Sequence, residues 1–306
     1  MTILQEAEWR GLQRAHADRV QPWVTPRLER KRLGLTHPVD DFLFDYYPYS
    51  VNKLTTWHPG YGVELQGDVT EFDLHPAYQR LNNDANGITA DVSQLATKAD
   101  RLDLVIRLLA GTSARPAQLN CFGLHEWAMV YQTPDIRHAS FPLRVTNEVV
   151  AATVDEIGLR CTHIDAYRFF TDAAKPLNII EPTRENQPDL EQPGCLHANM
   201  DLYKYAMWFT PWVSSDLIAD CFELARSART LDMRAAPYDL IDLGYEPIRI
   251  ETPDGRREYV DEQRAIAERA QQLRTKLSLT VEALRVSISE VSTTPAARPH
   301  CAKLPV

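Results

Sequence analysis

The sequence predicts a mainly α-helical fold: a bundle-like helical domain with two short β-hairpins. Apolar residues recur at three- and four-residue spacing in 92–110, 213–231 and 261–288. This spacing puts them on one face of an α-helix, which such helices bury against their neighbours. In the third segment the apolar stripe runs among Glu, Arg and Gln, so the opposite face is expected to lie in water.

Strand patterns are short and local. The segments 61–72 and 246–260 each predict a hairpin. The second carries Asp254-Gly255 where its turn would need positive φ. The segment 172–195 has no clear period and predicts a long loop, of a kind that often carries function.

Length and composition allow one large domain or two closely packed ones. The chain has 306 residues, of which 44% are hydrophobic, and this is enough to bury a substantial core. We expect residues 1–291 to form a single, mostly helical domain. Residues 292–306 have no periodic pattern and predict an irregular C-terminal tail.

Charge and cysteine content predict a cytoplasmic protein that does not enter a membrane. No segment approaches the ~20 consecutive apolar residues of a membrane span. The first residues are amphipathic and charged, unlike an export signal, and the five cysteines are expected to be reduced. The formal net charge of −9 disfavours a DNA partner, because DNA-binding proteins usually present a basic face to the phosphates. A local basic patch would still allow DNA binding.

Three times between residues 119 and 240, a thiol precedes an imidazole and a carboxylate. The groups are Cys121 with His125 and Glu126, Cys161 with His163 and Asp165, and Cys195 with His197 and Asp201. We expect the three histidines to meet in one pocket. Such side chains suit acid–base catalysis or binding of iron or zinc. Their spacing matches no C-x-x-C or H-E-x-x-H motif, however, and a buried thiol also packs as a small apolar group.

These patterns define the candidate site. The candidate catalytic residues are Glu126, His163, Asp165, His197 and Asp201. If a metal is bound, its candidate ligands are His125, His163 and His197, and the candidate ions are iron and zinc. The candidate substrate-binding residues are Arg168, Arg184, Gln187, Asn199, Arg234 and Tyr238. Arginine offers a planar fork to carboxylates, phosphates or base edges, although Arg234 would equally suit a surface ion pair.

Two further stretches bear on the pocket. In "EQPGCLHANMD" (191–201), a Pro-Gly break precedes a predicted helix whose N-terminus would present His197 and Asn199 to an anionic group. The stretch 37–63 is dense in Phe, Tyr and Trp. Its rings would either stack on a planar ligand or form core beneath a loop.

Five stretches together resemble a known family. They are "HPVDDFLFDYY", "WHPGYGVEL", "CFGLHEWAMVY", "EQPGCLHANMDLYKYA" and "LDMRAAPYDL". They are similar to an actinobacterial family commonly labelled 3-methyladenine DNA glycosylase, over about residues 10–290. The resemblance implies hydrolysis of the N-glycosidic bond to an alkylated purine, but the sequence lacks a helix-hairpin-helix glycine loop followed by a catalytic Asp.

Three functions therefore remain open. The first is a glycosylase-type hydrolase that acts on an alkylated purine, in DNA or as a nucleoside. The second is a metal-dependent enzyme of the non-haem iron type that oxidises a small molecule, built from helices that present ligands inward. The third is a non-catalytic protein that binds a small ligand.

Overall fold

Helices dominate the protein. The computed structural model describes residues 1–81, 87–134 and 141–293, and 59% of it is helical, which confirms the mainly α prediction. Within these ranges the α-helices are α1 (Glu6–Arg32), α2 (Phe42–Tyr46), α3 (Val51–Thr55), α4 (Thr70–Asp73), α5 (Ala99–Ser113), α6 (Leu124–Ala128), α7 (Asn147–Ile157), α8 (Ile164–Tyr167), α9 (Gln187–Leu190), α10 (Leu196–Trp208), α11 (Ser215–Ala235) and α12 (Pro253–Thr293). Short 3₁₀ segments occupy Val92–Lys98, Lys175–Leu177 and Ile241–Leu243.

Four helices, α5, α10, α11 and α12, build the core. Helix α10 packs on α11 and α12, and α12 also packs on α5. Both faces of α10 are buried, since its buried residues run continuously from Leu196 to Tyr203. One hydrophobic cluster includes buried residues from Val20 to Ile288.

A small sheet lies beside α1, because Trp9 of that helix packs in one apolar cluster with Leu65 and Ile88 of the sheet. Its strands are β1 (Thr2–Leu4), β2 (Val63–Leu65), β3 (Tyr78–Arg80) and β4 (Ile88–Ala90), in the order β1-β2-β4-β3. Strand β1 is parallel to β2, whereas β2 and β3 are both antiparallel to β4. A second apolar cluster, which includes Trp9 and Trp57, packs against β2 and β4.

Both predicted hairpins are wrong. In 61–72 only β2 is a strand, its partners are the distant β1 and β4, and α4 begins at Thr70. In 246–260 the chain enters α12 at Pro253. Proline suits the first turn of a helix, and Asp254 there favours the helix dipole. Gly255 lies in that first turn, where a Cβ atom would overlap the Arg249 carbonyl.

The predicted helices are present with shifted ends. The 92–110 segment begins as a 3₁₀ helix and continues as α5, 213–231 corresponds to α11, and 261–288 lies inside the 41-residue α12. The 172–195 loop is confirmed apart from one 3₁₀ turn and α9. Of the predicted tail, residues 292 and 293 end α12, and 294–306 lie outside the described residues.

None of the described helices has an apolar stretch that is long enough, and poor enough in charge, to span a membrane.

Candidate active site

Three segments that are distant in sequence meet at a small buried cavity, here called the inner cavity. Its lining includes Cys121, His125, Cys161, Cys195, His197 and Tyr259. The cavity measures about 30 Å³. That is room for one or two species of water size, and it is far too small for a purine base.

Two glycines let the chain approach this cavity closely. Gly123, at φ +68°, precedes α6, and its left-handed conformation is one that side chains with a Cβ atom rarely adopt. Gly194 precedes α10, and a Cβ atom there would overlap the Gln118 carbonyl. The Pro193 carbonyl accepts a hydrogen bond from Asn199 Nδ2 at 2.9 Å. The Pro-Gly break thus brings the loop against its neighbour and presents the start of α10 to the cavity.

The three histidines meet, as expected from the sequence. The His125 and His197 ring centroids are 4.6 Å apart, and those of His163 and His197 are 5.4 Å apart. Burial lowers the pKa of His197 well below its usual range, and the neighbouring His125 and His163 lower it further. Its ring is therefore neutral at physiological pH. The cysteines do not share helix faces with these histidines, because α6 begins only at Leu124 and α10 at Leu196.

One group of buried side chains, the His125 cluster, comprises His125, Glu126 and Asp232. Their ligand atoms all lie within 4.8 Å of one another. His125 Nε2 and Asp232 Oδ1 are only 2.8 Å apart. Even so, neither of these atoms, nor Glu126 Oε2, makes a well-aligned hydrogen bond to any described group. Three potential ligand atoms therefore converge: a proton on His125 Nε2 could satisfy Asp232 Oδ1, but it would leave Glu126 Oε2 without a donor.

A buried arginine supports this cluster from the side. Arg229 Nη1 donates to Glu126 Oε1 at 2.8 Å and to Asp232 Oδ2 at 3.0 Å. Each carboxylate therefore uses one oxygen on Arg229 and keeps the other within the cluster. Burial opposes ionisation of Asp232, but His125 and Arg229 outweigh this and hold its pKa far below the usual range.

A second group, the His163 cluster, comprises His163, Glu191 and Asp201. His163 Nε2 lies 3.1 Å from Glu191 Oε1 and 3.4 Å from Asp201 Oδ2. Burial alone would lower the pKa of His163, but these two carboxylates raise it to about 9. The backbone N–H of Asp165 faces His163 Nδ1 at 3.3 Å and opposes a proton there. This hydrogen bond is long, so the two carboxylates outweigh it and favour the protonated ring.

The carboxylates around His163 are already engaged by donors. Asp201 accepts from the Tyr47 hydroxyl at 2.8 Å and from the Lys204 ammonium. Asp165, which with His163 and Asp201 forms another compact set of ligand atoms, is held by both nitrogens of the Arg184 fork. The set of His163, Asp165 and Asp201 thus has fewer free lone pairs to offer a metal ion than the His125 cluster has.

An open cleft, here called the tyrosine cleft, lies over the His163 cluster. It has a volume of about 470 Å³. Its lining includes Tyr46, Tyr47, Asp165, Arg168, Arg184, Gln187, Lys204 and Trp208. Three predicted substrate-binding residues, Arg168, Arg184 and Gln187, therefore meet here beside tyrosines from the aromatic stretch.

The other three predicted substrate-binding residues contact the scaffold instead. Asn199 is fully buried and accepts from Arg274 Nη2 at 2.6 Å. Arg234 pairs with Glu262 and Glu258, at 2.7 Å and 3.1 Å. Tyr238 is buried in the main core, next to the bridge between its backbone and Leu143. None of the three lines the inner cavity or the tyrosine cleft.

Sequence reasoning missed Asp232, Arg229 and Glu191. A signal was available for Asp232, because it continues the apolar stripe of α11 one turn after Ala228. A carboxylate on a buried helix face needs a partner, and Arg229 is three residues away. Glu191 gave no signal, since it lies in the aperiodic 172–195 loop.

The chain matches no protein-family model, and its comparison with curated proteins and with solved structures finds no match.

Proposed function

We propose that the protein is a metal-dependent enzyme whose ion is held by His125, Glu126 and Asp232. The observation that carries the proposal is the convergence of three buried, poorly hydrogen-bonded ligand atoms. An imidazole and two carboxylates suit iron or zinc. The inner cavity beside His125 has room for an ion-bound water but not for a large substrate.

The charge balance also supports an ion. With neutral His125, the two carboxylates and Arg229 sum to −1, and a buried net charge is costly. A proton on His125 would neutralise it and could satisfy Asp232 Oδ1, 2.8 Å away. That proton would leave Glu126 Oε2 unpaired, whereas a metal ion could contact all three residues.

The remaining site residues have roles in this proposal. The tyrosine cleft is large enough for a small-molecule substrate, and Arg168, whose ion pair with Asp165 is long at 3.5 Å, would bind its anionic groups. His163 contacts residues that belong to both spaces: its ring lies 5.4 Å from that of His197, which lines the inner cavity, and its Nε2 lies 3.4 Å from Asp201, which accepts from Tyr47 of the tyrosine cleft. It is therefore suited to hold or transfer a proton.

We also propose a cytoplasmic location.

Elemental analysis of the purified protein tests the metal centre. We expect about one equivalent of iron or zinc in the wild type, and loss of that metal in Glu126→Gln. The amide keeps an acceptor for Arg229 but replaces the second carboxylate oxygen by an NH₂ group, which cannot bind a cation. A matched control is Asp41→Asn, since Asp41 is a fully buried carboxylate paired with Arg30 and Arg27 elsewhere.

Both variants remove a buried negative charge, so a general loss of stability would affect them alike. Metal loss in Glu126→Gln alone supports the centre. Wild-type protein that takes up neither Fe²⁺ nor Zn²⁺ after anaerobic reconstitution would rule it out.

The resemblance keeps a glycosylase as the second candidate, and the tyrosine cleft favours it specifically. In this alternative a purine would stack on the aromatic wall, Gln187 would read its edge, and Asp165 would stabilise the sugar cation. Release of 3-methyladenine from alkylated DNA or nucleoside, abolished in Asp165→Asn, is the expected result. Persistence of the release in that variant would exclude Asp165.

A further inference from the structure

We propose that a second open cleft, on the other side of Trp208 from the tyrosine cleft, binds a polyvalent phosphate ligand. This lysine cleft is lined by Lys53 of α3, by Lys98 and Arg101 where the 3₁₀ segment meets α5, and by Thr210 after α10. It has a volume of about 510 Å³, enough for a ligand of nucleotide size. The proposal does not depend on the metal centre.

The three cations of this cleft lack carboxylate partners. Among the described residues, no Asp or Glu oxygen lies within ion-pair distance of Lys53, Lys98 or Arg101. The cations of the tyrosine cleft differ, since Arg184 and Lys204 each hold a carboxylate. One acid, Asp100, lines the shallow cleft that continues from Lys98 and Arg101.

The cations also repel one another. Burial lowers the pKa of Lys98, and the nearby Arg101 and Lys53 lower it further. Lys98 is nevertheless fixed in place, because its ammonium donates to the Trp208 carbonyl at 3.2 Å. A bound anion would relieve this repulsion, and a polyvalent phosphate carries enough negative charge to pair with three cations.

Aromatic rings position the charged groups. The Arg101 guanidinium lies 5.0 Å from the Trp208 ring centroid, and the Lys98 ammonium lies 5.0 Å from that of Trp212. Lys53 is 5.9 Å from the Tyr49 ring. Cation–π contacts of this kind hold long side chains near one conformation, so less freedom is lost when a ligand binds.

Calorimetric titration with inorganic pyrophosphate at low salt tests the site. We expect saturable binding, weakened about tenfold or more in Lys98→Ala and in Arg101→Ala, because each loses a charge-assisted contact. The control is Lys31→Ala, an exposed lysine of α1 outside the cleft. Its affinity should equal that of the wild type.

Pyrophosphate also chelates metal ions, so the titration is repeated in Glu126→Gln. Binding retained in this variant supports the lysine cleft whether or not the metal centre exists. Binding lost there but unchanged in Arg101→Ala would overturn the proposal, and so would equal weakening in Lys31→Ala.

Two further ligands define the chemistry. Competition by ADP shows that the cleft accepts phosphates on a nucleoside, while competition by pyrophosphate alone restricts it to the free ion; either result supports phosphate recognition. Citrate is the comparison, since it carries similar charge on carboxylates. Citrate that binds as tightly as pyrophosphate would overturn the phosphate assignment.

Discussion

At the scale of single residues, buried charges mark the candidate site. Asp232, Asp201, His163 and Arg229 are each at most 2% exposed. Burial of an ion is costly unless partners compensate, so each of these groups depends on its neighbours. The two clusters differ in how well their carboxylates are hydrogen-bonded. Glu126 and Asp232 each have one oxygen without a well-aligned hydrogen bond, whereas Asp201 accepts from Tyr47 and Lys204.

The pH dependence of stability tests the charge on His163. Its pKa is raised to about 9 by Glu191 and Asp201, above the ~6.5 expected in the unfolded chain. The folded state therefore holds this proton more tightly. The resulting stabilisation is fully present below pH ~6.5 and is lost as pH rises towards 9. Chemical denaturation of the wild type and of His163→Gln, measured from pH 6 to pH 9, compares the two slopes.

We expect the free energy of unfolding of the wild type to fall more steeply over this range than that of His163→Gln. The difference between the two proteins isolates His163 from other groups that titrate here. Parallel curves would mean that the hydrogen bond from Asp165 keeps the ring neutral.

At the scale of elements, sequence periodicity predicts the long helices α5, α11 and α12, but neither the 27-residue α1 nor the strands. The stripes of α5, α11 and α12 repeat over several turns, so no single contact can override them. The predicted hairpins, 61–72 and 246–260, leave only a few residues for each strand, so the pattern in each strand is short. Their Val, Ile and Tyr residues fit a strand, but Pro253 and the close approach of Gly255 to Arg249 set the start of α12 instead.

Helix α12 offers a matched pair of leucines. Leu277 is fully buried, whereas Leu279, two residues further on, is 64% exposed. We expect Leu277→Ala to lower the free energy of unfolding by about 2–5 kcal/mol, because it leaves a cavity between packed helices. Leu279→Ala should change it by less than about 0.5 kcal/mol. Similar values in a urea titration would mean that the stripe is not the packed face.

The start of α10 depends on Gly194. Gly194→Ala would push a methyl group into the Gln118 carbonyl, and overpacking of this kind costs about 1–3 kcal/mol. Gly11→Ala is the control, because Gly11 lies in α1 with no atom within 4 Å of the new methyl group. It should stabilise the protein by about 0.5–1 kcal/mol. Thermal unfolding should therefore shift in opposite directions for the two variants.

At the scale of the whole molecule, the fold assembles a site that the sequence reveals in part. The three Cys-His-carboxylate groups could be predicted to converge because they repeat one chemical pattern. Arg229 and Glu126 could not be paired from the sequence, since 103 positions separate them. The burial of Asn199 against Arg274 could not be predicted either, because Asn199 lies in a polar stretch of the sequence.

Basic side chains are also redistributed by folding. In the densest basic stretch of the sequence, 26–32, two of the four basic side chains are neutralised, because Arg27 and Arg30 pair with Asp41 and Arg27 also pairs with Asp45. The three cations of the lysine cleft come instead from α3 and from the junction of the 3₁₀ segment with α5. They face a cleft, where a small anion can enter and a rigid double helix cannot.

Duplex DNA should therefore bind weakly at physiological salt. The net charge of −9 repels the phosphate backbone, and two of the four basic side chains in 26–32 are already paired with Asp41 and Asp45. The logarithm of the binding constant falls with the logarithm of salt by about 0.9 per phosphate contacted. A protein that touches few phosphates should show a shallow slope. Fluorescence polarisation of a labelled duplex at several salt concentrations measures it; tight binding with a steep slope would reveal a basic face and make the glycosylase the leading candidate.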